Sequence, residues 1–407
     1  MVAASFAAGA FSVCSWVLAL AWLRRAVIAL WELPRLPDLN RIDRESLPAL
    51  SLTQSPHLTV IVPALNEESS IEPALHSLLA STGLQLQIIA VNDRSTDRTG
   101  ELMEAVAANA AATGNPHTLQ IIHLRDLPSG WLGKPHAMAL AAQRAEAPWL
   151  LFTDGDVIFS PRALELALRY ASKSSADHLI LVPTLILRST VEQAMLAAMQ
   201  CLALWTVRLW KVADPHAKDS FGVGGFTLVR KEIYQRAGGF EALRMEVLDD
   251  MGFGRLIKQS GFAQRVVLGP GLVRVRWIDG SFSVPHLLEK NGFAIFRYRV
   301  GLTLLACFAL LLGIVVPPAA MAAGGWLLLS GLLFYAAVAL LYFAYRRVTK
   351  VPVWTAVFFA PATGLLVYAF FRSMVLALLR NSVEWRGIRY PLSELRRYAR
   401  GTSGFCP

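Results

Sequence analysis

Between residues 57 and 156 the chain alternates between two hydrophobic periods. "HLTVIVPAL" (57–65), "QLQIIAVND" (85–93), "LQIIHL" (119–124) and "PWLLFTDGD" (148–156) are short, β-rich apolar runs that read as strands. The intervening stretches 71–81, 97–113 and 134–146 carry apolar residues at helical spacing. Strands alternating with helices predict an α/β fold on a mostly parallel sheet. Ligands on such sheets bind beyond the carboxyl ends of the strands. Asn66 with Glu67, Asp93, and Asp154 with Asp156 all stand at such ends, where they would line one polar crevice.

Outside this region the pattern changes to long apolar blocks. Residues 6–23, "FAAGAFSVCSWVLALAWL", are uncharged, about one bilayer crossing in length, and followed by Arg24 and Arg25. Charge after the apolar run rather than before it reads as an anchor with its basic end in the cytoplasm, not as a cleaved signal peptide. A second block divides into 301–321, 325–345 and 352–378, its first break marked by Pro317, Pro318, Gly324 and Gly325. Arg372 is out of place in the last segment, as a snorkelling side chain or as part of a kinked or interfacial element. The expected organisation is an anchor (1–33), a cytoplasmic α/β domain (34–300), about three transmembrane segments (301–380) and a basic interfacial tail (381–407). Within 34–300, "EQAMLAAMQCLALWTVRLWK" (192–211) reads either as a core helix or as one lying at the lipid interface.

Composition supports a membrane protein. Hydrophobic residues make up 55% of the 407 residues, too many for an ordinary soluble domain. The net charge is +10, but much of the positive excess lies beside the apolar blocks and in the tail "RNSVEWRGIRYPLSELRRYAR". That placement suits an anionic membrane surface; nucleic-acid binding would need a basic, aromatic-interleaved face in the polar part, and none is apparent. Trp385 and Tyr390 in the tail read as interfacial anchors. Cys14, Cys201, Cys307 and Cys406 show no paired spacing, which fits a reducing compartment and no zinc site. The eight histidines form no metal-like cluster and are taken as structural or surface residues.

Chemistry concentrates in the carboxylates. In "LFTDGDVI" (151–158), residues i and i+2 at a strand end point to one face, so Asp154 and Asp156 can address one hard divalent cation. A plain surface turn is the competing reading of "DGD"; the position after a buried strand favours the cation. In "VNDRSTDRTG" (91–100), Asp93 is placed to accept hydrogen bonds from a base or ribose, while Asp97 reads as a helix cap. Asp249 and Asp250 open a helical stretch, where one carboxylate can act as a general base. The glycine-rich stretch 222–240 lacks phosphate-loop spacing.

"TVIVPALNEESSI", "VNDRSTDRT", "GKPHAMALAAQRA", "LLFTDGDV", "GGFTLVRKEIYQRAGGF" and "DDMGFGRLIKQSG" occur in the order seen in glycosyltransferase family 2, which the chain resembles over roughly 57–300. The resemblance implies the GT-A nucleotide-diphospho-sugar transferase fold and inverting transfer. The flanking apolar blocks resemble the membrane-bound branch that includes ceramide glucosyltransferases and bacterial carotenoid or hopanoid glycosyltransferases. It implies that Pro63, Asn66, Glu67 and Asp93 line the nucleoside pocket and that Lys134 approaches the nucleotide phosphates. Asp154 would serve nucleotide and metal, Asp156 would ligate Mg²⁺ or Mn²⁺, and Asp250 would be the base, with Asp249 its neighbour. Processive synthases and ceramide glucosyltransferases carry Gln or Arg, two residues, then Arg-Trp. Here "VRVRW" keeps Arg276 and Trp277, as candidates for the diphosphate and acceptor, but has Val273 in the first place. With few spans as well, transfer of a single sugar from a nucleotide donor (a UDP-sugar by analogy) to a lipid acceptor in the inner membrane is the expectation. A processive polysaccharide synthase and a non-catalytic membrane scaffold are the alternatives. No obligate protein partner is expected.

Overall fold

The computed structural model describes residues 2–50, 55–277 and 284–401. Helix α1 (Val2–Glu32) opens the chain. The α/β part follows with β1 (Leu58–Ala64), α2 (Ile71–Leu79), β2 (Leu86–Asp93), α3 (Thr99–Ala112), β3 (Thr118–Leu124) and α4 (Gly133–Gln143). It continues through β4 (Trp149–Phe152), β5 (Val157–Phe159), α5 (Ala163–Lys173), β6 (His178–Leu181) and β7 (Thr184–Leu185). After α6 (Thr190–Thr206) come β8 (Thr227–Arg230), α7 (Lys231–Arg236), α8 (Asp249–Gln259), β9 (Gln264–Val267) and β10 (Val273–Val275). The last stretch holds α9 (Val284–Ile295), α10 (Val300–Ala323), α11 (Gly325–Thr349), α12 (Phe359–Leu379), the hairpin β11 (Ser382–Trp385) and β12 (Ile388–Pro391), and α13 (Leu392–Gly401).

The chain divides into two units. One comprises Met1–Arg35, Leu187–Arg208 and Ile278–Ala399; the other comprises Leu36–Ile186, Leu209–Trp277 and the last residues from Arg400. The α/β unit is therefore not the continuous stretch 34–300 expected from polarity. Residues 187–208, with α6, and residues 284–399 group with the apolar helices.

In the α/β unit, a seven-stranded sheet has the order β3-β2-β1-β4-β8-β6-β9. β1 pairs in parallel with β2 and β4, β2 with β3, and β6 with β9, whereas β8 is antiparallel to both β4 and β6. β1 is buried at every residue and β2 at all but one, as central parallel strands covered on both faces must be. The edge strand β3 instead alternates exposed with less exposed residues. The Ala-rich α4 buries Ala137, Ala139, Ala141 and Ala142, small side chains that let the helix lie close on the sheet.

The run 148–156 is not one strand. β4 stops at Phe152, Thr153 and Asp154 form an extended link, and Gly155–Asp156 make a turn into β5. β5 belongs to a separate small sheet of order β5-β10-β7. A central strand position offers no partner for a carboxylate, so the chain leaves the sheet before the first aspartate. The alternation argument for Asp154 and Asp156 thus fails in its premise, and their approach is set by the turn instead.

In the helical unit, four helices among the described residues are long and apolar enough to cross a membrane: Phe6–Arg35, Val300–Ala323, Gly325–Arg346 and Val353–Leu379. Pro317 and Pro318 lie inside α10, and the break falls at Gly324, whose φ is 71°. Arg372 is neither free nor snorkelling: its Nη1 lies 2.6 Å from Oε2 of Glu289 on α9, whose Oε1 takes Arg380 at 2.8 Å. Trp385 and Tyr390 are 7% and 8% exposed in the hairpin, so they pack within the protein rather than standing out as lipid anchors. In α6, capped by Ser189, the inner face is buried and Trp205 packs on Trp22 at 5.4 Å, with Arg25 over its ring at 5.0 Å.

Candidate active site

The loops after β1 and β2 are laced together at the carboxyl end of the sheet. Asn66, in the left-handed region at φ 55°, accepts from the Thr96 N–H (2.8 Å), and its own N–H donates to Ser95 Oγ (3.1 Å). The Glu67 N–H donates to Thr99 Oγ1 at 2.8 Å. Asp97 accepts from the N–H groups of Thr99 and Glu68, a capping and bridging role. Pro63 is buried in β1 opposite Val91. Asp93 is 2% exposed, and the Arg94 guanidinium grips both its oxygens at 2.7 and 3.0 Å.

The link after β4 carries the next group. Lys134, in the first turn of α4, places Nζ 2.7 Å from Asp154 Oδ1 and 3.0 Å from Asp249 Oδ2. Burial works against the Lys134 charge, but Asp154, Asp249 and Asp250 outweigh it and hold the pKa above the ordinary lysine value. Asp156 is pushed up to about 7, by burial first and then by the negative charges of Asp154 and Glu67.

Asp249 and Asp250 begin α8. Asp250 accepts from the Gly224 N–H at Oδ2 (3.0 Å) and from the Met251 N–H at Oδ1 (2.7 Å). Burial, followed by the charge of Asp249, raises its pKa to about 6, against the pull of Lys134. Because β8 runs antiparallel, the loop before it, rather than after it, lies at the carboxyl end of β4, where Thr227 pairs with Phe152. That loop must approach very closely. A Cβ on Gly222 would sit 1.8 Å from the Asp250 carbonyl oxygen, and one on Gly224 2.4 Å from Asp154 Oδ2. Lys134, Thr153, Asp154, Gly224, Asp249 and Asp250 line one pocket, floored by apolar side chains such as Phe152, Phe240 and Phe253.

The structure thus joins Lys134 directly to Asp154 and Asp249, with Asp250 lining the same pocket and Glu67 near enough to raise the charge cost of Asp156. Arg276 and Trp277 are not among the residues lining this pocket. β10 pairs antiparallel with β5, the ladder ending at Val275 opposite Val157, just before Arg276. Trp277 is 38% exposed. Arg94, Gly222 and Gly224 lie in stretches that the sequence singles out but were given no role in the site; two glycines just ahead of a short apolar strand were the available signal. His178, buried between Gln264 and the Phe253 ring, has its pKa pushed down to about 3 by burial and is a neutral core residue.

Two carboxylates beside a turn, with raised repulsion at Asp156, are hard oxygen donors that fit a divalent cation. Among the described residues no group of three or more His, Cys, Asp or Glu could hold a metal ion.

Residues 59–238 match the family model for glycosyl transferase family 2. The chain is similar to 4,4'-diaponeurosporenoate glycosyltransferase of Staphylococcus aureus strain USA300, with 23% identity over 226 residues, 55% of this chain and 57% of that protein. The strain MRSA252 protein is 25% identical over 227 residues. The chain therefore spans little more than half the length of these curated relatives, 57%. Among solved structures, the mannosyltransferase PcManGT from Pyrobaculum calidifontis, in complex with GDP-Man and Mn²⁺, aligns with a TM-score of 0.55 at 18% identity. That alignment covers 91% of this chain and 99% of that one, and at such identity the likeness is one of fold, here GT-A. It is over residues 59–238 that the chain is similar to glycosyl transferase family 2.

Proposed function

We propose that the protein transfers one sugar from a nucleotide-diphosphate donor to a hydroxyl of a lipid acceptor, inverting the anomeric centre, with Asp250 as general base. The observation that carries this reading is the Asp250 carboxylate. It is fixed by two backbone N–H groups, raised to about 6, and set in the pocket that also holds Lys134 and Asp154. At neutral pH such a group is ionised yet more basic than an ordinary aspartate, which suits proton removal from a hydroxyl as attack proceeds. A single base and no enzyme nucleophile give one displacement, hence inversion.

Lys134 keeps its charge and, released from Asp154 or Asp249, would meet the donor diphosphate. Arg276, just beyond the end of β10, is the further candidate for the diphosphate. Asp156 and Asp154 would hold Mg²⁺ or Mn²⁺. When bound, that cation neutralises charge gathering on the leaving diphosphate. The solved PcManGT complex holds GDP-Man and Mn²⁺, which supports a nucleotide-sugar donor and a divalent cation here. The four apolar helices support a lipid acceptor and a membrane location; Arg24 and Arg25 after the first apolar run favour the cytoplasmic side for the domain that follows.

The curated relatives are named for a carotenoid carboxylate, an acceptor that would need no base. A raised Asp250 favours a hydroxyl. Membranes containing the protein, incubated with a panel of labelled nucleotide sugars, should yield a labelled lipid that survives mild alkali, as a glycoside does and an ester does not. Asp250→Asn should abolish transfer while nucleotide binding persists. Loss of binding together with transfer would remove Asp250 from the role of base.

A further inference from the structure

Side-chain register within the helical unit fixes the direction of each long helix. α10 and α11 form a tight hairpin around Gly324, and a Cβ on Gly331 would strike Met321 and the Pro317 carbonyl. α10 and α12 are also antiparallel: Cys307 lies against Val367, and Ile314 against Gly364. α9, which leads directly into α10, meets the far end of α12 through Phe296–Phe370, Ser373 to the Phe293 N–H, and Glu289 to Arg380. α1 and α11 are parallel, since Ser15 bonds Ser330 and Trp22 packs on Phe334. Hence α1, α11 and α12 run one way and α10 runs the other.

Consecutive parallel helices are a problem for a membrane protein, because the chain between them must return across the bilayer. Residues 350–358 join α11 to α12, and 353–358 form a 3₁₀ turn. At about 2 Å per 3₁₀ residue and 3.3 Å per extended one, this joint reaches about 22 Å, short of the ~30 Å hydrocarbon core. The observed contacts agree. Phe359, the first residue of α12, packs on Phe334 and Trp22, and Phe334 precedes the end of α11 by about 22 Å of helix. α12 therefore starts part-way down α11 and, at about 31 Å long, ends beyond it.

We infer that 353–379 is a re-entrant element that enters the bilayer from the side where α11 ends and returns to that side. The chain then crosses three times, through α1, α10 and α11. Its interaction surface meets a single leaflet: Trp354, Val357, Phe358, Tyr368 and Phe371 are exposed to acyl chains, while Arg346, Lys350 and Arg380 stand with the headgroups of that leaflet. The basic tail emerges on the side reached by the carboxyl end of α1. This removes the conflict between four crossings and the bias of positive charge to one side, and it is independent of the sugar chemistry.

The test uses the full chain with its own cysteines replaced by serine and single cysteines introduced by Arg35→Cys, Ala322→Cys or Ser393→Cys, in sealed vesicles of known orientation. A membrane-impermeant maleimide should label residues 35 and 393 from one face and residue 322 from the other. Labelling of 393 together with 322 would overturn the inference. A C-terminal epitope on the unsubstituted chain gives a second measurement that needs no cysteine variant. Trypsin applied from the face that labels residue 35 should remove the epitope; an epitope removed only from the opposite face would refute the proposal.

Discussion

Gly224→Ala isolates the contact that aims the base. The added Cβ would lie 2.4 Å from Asp154 Oδ2 and 3.3 Å from Asp154 Cγ. Asp154 cannot yield freely, because its other oxygen is 2.7 Å from Lys134 Nζ. Either that ion pair breaks or the glycine loop retreats and stretches the 3.0 Å bond from the Gly224 N–H to Asp250. A hydrogen bond to a charged group contributes about 1.5–3 kcal/mol. At about 1.4 kcal/mol per decade, transfer should slow by roughly ten- to a hundredfold. The assay is initial transfer rate at saturating donor and acceptor, alongside nucleotide binding and the unfolding midpoint. The loss should fall on the rate constant with nucleotide binding retained, and because Gly224 does not adopt a positive φ, backbone strain adds nothing to any fall in the midpoint. A rate within about twofold of the parent, at the same midpoint, would show that the Gly224 N–H does not set the reactivity of Asp250.

The pH profile of kcat/KM should carry an acid limb near pH 6: a base works deprotonated, so activity is full above the raised Asp250 pKa and falls about tenfold per unit below it. A limb at the ordinary aspartate value near 4 would contradict the burial argument. Asp156→Ala should weaken nucleotide binding in the presence of Mn²⁺ much more than in its absence, as read by titration calorimetry at both conditions. Glu289→Gln should lower the unfolding midpoint of the detergent-solubilised protein by the equivalent of about 1–3 kcal/mol, mostly from the half-buried Arg372, because the exposed Arg380 is screened by water. An unchanged midpoint would mean that the pair contributes nothing to the helical unit.

The central strands were legible because β1 and β2 are buried on both faces, and an uninterrupted apolar run has few other uses. The acids that follow them were legible for the complementary reason, that charge at such a place has to face a crevice. β8 was not. "TLVR" is four residues long and carries no sign of its direction, which arises only when it slots between β4 and β6. With β8 unreadable, the glycine loop ahead of it could not be assigned to the site. Asp93 shows a different limit. Its position could be read, but its pairing with Arg94 depends on a left-handed turn at φ 62° that no apolar pattern reports. For 352–378, length and apolarity satisfy the requirements of a crossing, so the direction of the helix and its starting depth had to come from its neighbours. Arg372 marked that segment as unusual; Glu289, eighty-three residues earlier, is what makes its charge tolerable.

The ammonium shared by Asp154 and Asp249 bears on how the chain is made. As synthesis proceeds, Lys134 and Asp154 emerge together with the first strands of the sheet, but Asp249 follows only after α6 and β8. Until then the lysine has one of its two bridging carboxylates, and the pocket lacks the loop and helix that enclose it. Closing the pocket, and with it the burial of that charge, becomes a late event that waits for the first turn of α8.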